Sequence, residues 1–521
     1  MTKNSVLAAL LLTTTLSAPA FATSGIQKEQ ALTGVDQRAK QVQQMVDTIF
    51  SYAEPGFQEV RTSAYITGIL EKEGFKITRG VADIPTAWTA TWGDGGPLIA
   101  LGSDIDCLLG LSQMPGSPQI KPMVEGAPGH GEGHNSGMPL IVAAALSARD
   151  VMVKNNIKAR LIIWPGIAEE LLGSKAYYVR AGVFKGVDAS IFAHVSSDFG
   201  TGYGDMGNTG MVSVQYNFHG KTSHAAAAPW LGRSALDGVE LMNIAWNMRR
   251  EHLPTTQRSH YVITNGGGQP NVVPGEASVW YYFRERTFPE IRNLYETGNE
   301  ISEAAAKATG TTVTRQVLGY AAPNYGNKPL AEAAYNNIKL VGMPQWSPED
   351  QAFAKAVQEA NGFKSRPLAK DVDKLSTPET RGGGVNASSD DIGDVMWAVP
   401  TITVRYPSNV PNTIAHHVTA AIGMTTPIAH KGAVAGAKAV ALTVLDIATT
   451  PSLVTAAKAY FAEQTKDVKY DPVLVPTDKP AIHLNADLMA RLRPQMEKFY
   501  YDSTKYASYL EQLGITYPPA K

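Results

Sequence analysis

The chain has 521 residues, of which 44% are hydrophobic and 18% charged, with a formal net charge of −1. That is globular composition, enough for more than one core and about three units at roughly 150 residues each. The near-zero charge gives no electrostatic pull toward nucleic acid or an anionic membrane, and a single cysteine, Cys107, excludes an intrachain disulfide and a thiolate metal cluster.

Residues 1–22 read as an export signal: Lys3 is the positive start, 6–16 is an apolar-leaning segment too short to span a bilayer, and Ala20-Phe21-Ala22 is a small-x-small cleavage pattern. The expected mature chain starts near Thr23, is exported and periplasmic, and has no later stretch of 18 uninterrupted apolar residues to cross a membrane. A first unit is expected over 23–206. It holds helices at 35–53 and 57–74, then strands at 88–92 and 97–103, the second running into Asp104 and Asp106. After the loop PGHGEGHNSG, 138–153 is a helical pattern, ARLIIWP a buried strand, EELLGSKAYYVRAG a helix, and ASIFAH a strand ending at His194. Strands alternating with helices predict an α/β fold with a mostly parallel sheet covered on both faces, where functional groups gather beyond the carboxyl ends of the strands. Asp104, Asp106, Glu169, Glu170 and His194 all fall there.

The pattern changes at 207. Strands at 211–220, 260–265 and 276–284 and helices at 236–252 and 291–307 predict a smaller α+β unit with an antiparallel sheet over 207–325. Gly266-Gly267-Gly268 joins two strands and reads as a turn, because a phosphate cradle would open a helix. The α/β pattern returns over 326–450, with a polar loop at 365–390 and a last helical run at 433–448. Residues 451–521 form a polar extension expected to wrap the surface.

Glycines at 129, 131 and 133 permit backbone shapes barred to other residues and let Glu132 and His134 face one point. Taken singly, His194, His416 and His430 each have an ordinary structural explanation, but His130, His134, His194 and His416 stand where turns or strand ends can bring them to one cleft. Adjacent acids at a helix start usually serve the helix dipole. After a buried strand, however, Glu169 and Glu170 point apart and can divide tasks, one binding a metal and one handling a proton.

The ordered set GHGEGHN, PGIAEELLGSKAYYVRAGVF, HGKTSHAAAAPWLGRSALDGVELMN, GGGQPNVVPGEASVWYYFR, SSDDIGDVMW and IAHKGA resembles the M20 metallopeptidase family over about 35–465. More narrowly it is similar to the amidohydrolase branch that includes aminobenzoyl-glutamate hydrolase. The resemblance implies a zinc-peptidase-like catalytic domain interrupted by a lid domain that dimerises. It implies two divalent ions, Zn or Mn, held by Glu132, His134, Glu170, His194 and His416. Glu169 would be the general base that carries a proton from the attacking water to the leaving amine. His224 would reach a neighbouring active site across a homodimer to steady the oxyanion, Asn271 and Arg284 would contact the substrate, Arg284 through a carboxylate, and Asp106 would orient a ligand histidine. Asp104 receives no role. The branch normally has cysteine where this chain has Glu132, while other branches bridge the metals with a carboxylate. Glu132 therefore either restores such a bridge, with harder oxygen chemistry tolerant of Mn²⁺, or leaves a site with one metal or none. The implied activity is hydrolysis of the amide of N-acyl or aroyl amino acids. The alternatives are a dipeptidase or carboxypeptidase on ordinary peptides, and a non-catalytic periplasmic binding protein of the same fold.

Overall fold

The computed structural model describes residues 23–381 and 388–518. The expected signal, 1–22, lies outside them. In chain order the strands are β1 (Lys76–Arg79), β2 (Trp88–Trp92), β3 (Leu98–Asp104), β4 (Arg160–Gly166), β5 (Ala189–Ser196), β6 (Gly204–Asp205), β7 (Gly210–His219), β8 (Arg258–Asn265), β9 (Glu276–Glu285), β10 (Thr312–Ala321), β11 (Tyr325–Gly326) and β12 (Thr401–Pro407).

The main sheet has the order β1-β2-β4-β3-β5-β12. β4, β3, β5 and β12 are parallel, and β1 and β2 add an antiparallel edge. β3 and β4 are apolar nearly end to end because helices cover both faces, as parallel sheets require. The helices Gly137–Lys154 and Pro427–Thr449 pack on each other and on this sheet. Pro427–Thr449 is the one helix among the described residues long and apolar enough to cross a membrane by length and composition. It is mostly buried, however, against Gly137–Lys154, Lys328–Val341 and β12, which accounts for an apolar surface all round.

The inserted unit is a four-stranded antiparallel sheet, β10-β7-β9-β8. Side chains alternate on β9: Ala277, Val279, Tyr281 and Phe283 are buried under the helices Ala235–Arg250 and Phe288–Thr309, while Tyr282 and Arg284 face the other way. β6 and β11 pair with each other immediately before and after this insertion, so the chain leaves and re-enters the catalytic unit through one ribbon.

Several expectations change. The helix expected over 35–53 is two helices, Gly25–Gln37 and Ala39–Tyr52, broken at Arg38. The helix expected from Glu169 onward is a single 3-10 turn, Glu169–Leu171, and a separate helix, Lys175–Arg180. Ala168 and Leu172 take the left-handed conformation on either side of the turn, so the helix cannot run through. β1, β10 and β12 were not anticipated. The extension beyond 450 is no loose wrap: Met489, Leu492 and Met496 form a buried cluster with Ala53, Cys107, Val124 and Ala127, and Tyr501 and Tyr509 pack on Phe50 and Met424.

Candidate metal centre and substrate cavity

The carboxyl ends of β3, β4 and β5 deliver Asp104, the Glu169-Glu170 turn and His194 to one place, and two loops complete it. In the GHGEGH loop Gly133 has φ 95°, and a Cβ there would stand 2.5 Å from Met424 Sδ. Only glycine allows this backbone, which turns Glu132 and His134 to a common point. His416 has φ 57°, also left-handed. The acid turn is held from three sides: Ala168 N donates to Glu59 Oε1 (2.9 Å), Glu170 N to Asp106 Oδ2 (3.1 Å), and Tyr320 N of the lid to Leu172 O (3.0 Å). Left-handed non-glycine residues cost of order 1 kcal/mol each and persist where surroundings fix them, as at Ala168 and Leu172 (both φ 51°).

Ligand atoms of Glu132, His134, Glu169 and Glu170 lie within 4.8 Å of one another, as do those of Asp104, His134 and His194. His416 Nε2 is 2.9 Å from Glu132 Oε2 and 3.3 Å from Glu170 Oε2. The other oxygen of Glu132, Oε1, faces His194 Nε2 at 3.7 Å, so one carboxylate spans two histidines. Asp106 Oδ1 lies 3.4 Å from His134 Nδ1, the position of a residue that orients a ligand imidazole. The sequence-assigned set Glu132, His134, Glu170, His194 and His416 therefore converges, with Glu169 beside it.

His130 does not join. Its Nε2 bonds Ile49 O at 3.2 Å and its ring packs on Phe50, because the glycine-spaced backbone sends positions 130 and 134 in opposite directions. His430 is bonded to Asp47 and His417 to Thr419, both structural.

Burial raises Glu170 to about 8, with Glu132 adding repulsion. Burial, then Asp104 and Asp390, push Glu169 well above the usual carboxylate range. Burial opposes ionisation of Glu132 too, but the His416 hydrogen bond and the charges of His194 and His134 hold it low. Burial works against protonated His134, yet the carboxylates of Asp106, 3.4 Å from its Nδ1, and of Asp104 and Glu170 raise it well above an ordinary histidine. Burial and Arg405 lower His194. These residues form a pocket with more carboxylate than positive charge. Both ring nitrogens of His134, Asp104 Oδ2, Asp106 Oδ1 and Glu170 Oε2 are buried without a hydrogen-bond partner. Orphaned donors and acceptors of this kind are costly unless a cation takes them. The set fits divalent cations, and its nitrogen and oxygen donors suit Zn²⁺ and Mn²⁺ alike.

A cavity of about 860 Å³ opens above these residues. Its lid wall is Arg258, His260, Tyr282 and Arg284, which share one face because β8 and β9 pair Arg258 with Arg284 and His260 with Tyr282. The Arg284 guanidinium lies 5.5 Å from the Tyr282 ring centroid, and its Nε is buried without a partner. Among the described residues, no carboxylate forms an ion pair with Arg258 or Arg284.

His224 and Asn271 do not line this cavity. They lie together on the exposed side of the lid, where Ala225 N donates to Asn271 O and His224 bridges Val272. His224 Nδ1 accepts from Ala226 N and Ala227 N, at 3.2 and 3.0 Å, which leaves the ring proton on Nε2. Asn271, expected with Arg284 at the substrate, is thus placed with His224 instead.

Sequence reasoning missed Lys175, fully buried between Asp104 and Asp391, and Arg405, bonded to His194 Nδ1. It also missed Arg258 and His260, although period-two alternation in RSHYVITN against YYFRE carried that signal.

Residues 206–310 match the family model for the peptidase dimerisation domain, M20_dimer. The chain is 32% identical over 432 residues to a p-aminobenzoyl-glutamate hydrolase chain of Escherichia coli K12, covering 77% of this chain and 88% of that protein. The chain belongs to the M20 metallopeptidase family. This M20 protein is a hydrolase of the metallo-amidohydrolase and peptidase type, acting on amide C–N bonds. It is also 31% identical over 322 residues to the Xaa-Arg dipeptidase of Mus musculus, covering 61% of this chain and 72% of that one. The aminobenzoyl-glutamate utilization protein from Klebsiella pneumoniae shares the fold, with a TM-score of 0.52 at 17% identity over 78% of this chain and 96% of that chain.

Proposed function

We propose that this M20 hydrolase cleaves the amide joining an acyl or aroyl group to an amino acid with a free carboxylate, as in aminobenzoyl-glutamate. The observation that carries this reading is the unpaired Arg284, backed by Arg258, on the wall above the Glu169-Glu170 turn. A guanidinium fork recognises a carboxylate in two parallel hydrogen bonds, and burial strengthens the pair. The name of the Escherichia coli relative specifies a substrate of this class. A second reading, a dipeptidase releasing a basic amino acid, draws on Asp198 and Asp373 in the same cavity and on the name of the mouse relative.

Glu132, His134, Glu170, His194 and His416 would hold two divalent ions, Zn or Mn. The chemistry such a pair supplies is Lewis acidity, which acidifies water and polarises the scissile carbonyl. Glu169 takes the proton of the attacking water on a carboxylate oxygen and delivers it to the amide nitrogen as the C–N bond breaks. Arg284 binds the carboxylate of the leaving amino acid and so fixes the amide over Glu169. His224 of the partner subunit donates its Nε2 proton to the developing oxyanion, a task its own cavity does not offer it. Export to the periplasm is part of the proposal, supported by the pattern in 1–22 and checked by the N-terminal mass of the mature protein.

The test is a hydrolysis screen of N-acyl and N-aroyl amino acids against Xaa-Arg dipeptides, with metal analysis of the same sample. Glu169→Gln is expected to keep its metal and lose about 10²–10⁴-fold in kcat. A variant as fast as the parent would refute the base assignment. Full metal with no turnover of any substrate would favour the non-catalytic binding reading.

A further inference from the structure

Asp104 sits at the carboxyl end of β3 and is 1% exposed. One of its oxygens, Oδ1, accepts from Lys175 Nζ at 2.6 Å. Lys175 is itself fully buried, is also paired with Asp391, and lies over the Phe192 ring. Room for this pair depends on Gly166, where a Cβ would stand 1.8 Å from Asp104 Oδ1. The other oxygen, Oδ2, is buried and accepts nothing. An oxygen of Asp104, a ring nitrogen of His134 and one of His194 lie within 4.8 Å of one another, and both nitrogens of His134 are unpartnered. A buried carboxylate with one oxygen saturated and the other bare is expensive unless a cation occupies the bare side. The lysine explains Oδ1. It does not explain Oδ2.

We propose that Asp104 is a further protein ligand of the cation held by His134 and His194, with Lys175 as the positioning residue that fixes its carboxylate. This rests on the metal-dependent reading above. Lys175 leaves only Oδ2 to bind, so Asp104 is a one-oxygen ligand on a rigid strand end. That raises the oxygen share of one of the two ions.

The test is Co²⁺ loading of the metal-free full chain, reading both the stoichiometry and the visible d–d bands, whose position and intensity report geometry and ligand number. Asp104→Asn is expected to change the bands of one of the two ions and to weaken that ion about 10-fold or more. Asp104→Glu keeps a negative charge for Lys175 and so guards against a folding defect. It is expected to alter the same bands. If the parent takes up two ions and both variants give parental bands, Asp104 is no ligand, even where affinity falls. A parent that takes up no ion overturns the metal-dependent function itself.

Discussion

His130 and His134 are four positions apart on one loop, yet one is a buried structural imidazole and the other a prospective ligand. Burial, helped by His134, lowers His130 to about 3 against its usual 6.5. Between those values the unfolded chain carries the proton and the folded chain does not. The stability it contributes is complete above the unfolded value and declines as pH drops, by up to about 1.4 kcal/mol per pH unit. His130→Gln is expected to flatten that decline between about pH 6 and 4 in denaturant titrations, and a parental slope would assign the acid sensitivity to other groups. Residue types and spacing did not separate the two histidines, because their directions depend on glycine backbone angles; only the family motif, which implies His134 and not His130 as a ligand, told them apart. The sequence did expose Arg284 through its motif, but not Arg258, which matters only once β8 is registered against β9.

The loops around the site are legible in type but not in path. GHGEGH shows its purpose through its glycines, and the structure gives Gly133 a left-handed backbone with Met424 and Val195 close by. Gly133→Ala is expected to destabilise the fold by about 1–3 kcal/mol and to lose bound metal under conditions where the fold survives, measured by thermal unfolding and metal content. Parental metal content in the folded variant would show that this backbone does not position Glu132 and His134. The EELLGSK segment misled because its helix-forming residues are overridden. Glu59, Asp106 and Tyr320 hold the turn open from distant parts of the chain, and no local pattern announces them. β10 was overlooked for a related reason: its polar half, TVTRQ, resembles a loop until it pairs with β7.

The two-unit plan of the molecule was readable from the switch in period and strand order, and β6 and β11 mark where the lid leaves and returns. The role of the C-terminal extension was not readable. Its Asp471 pairs with Arg292 on a lid helix through two hydrogen bonds, Tyr470 bonds Asp394, and Arg493 pairs with Glu54, so it ties the lid to the catalytic unit. Such contacts between distant segments have no sequence signature. The edge strand β8 exposes Val262 and Ile263, and the helix Ala235–Arg250 exposes Ile244 and Met248, a surface suited to a second copy. The proposed action of His224 across a dimer contact predicts that Glu169→Gln and His224→Ala are each inactive alone. Their co-expressed mixture should recover about a quarter of parental activity, since half the dimers then hold one complete site. No recovery in mixed dimers would place His224 outside the neighbouring site. The most direct measurement is metal per chain in the parent and in Glu132→Ala. About two divalent ions are expected in the parent and at most one in the variant. A parent without bound ions would contradict the metal-dependent mechanism, and a variant with undiminished occupancy would remove Glu132 from the proposed ligands.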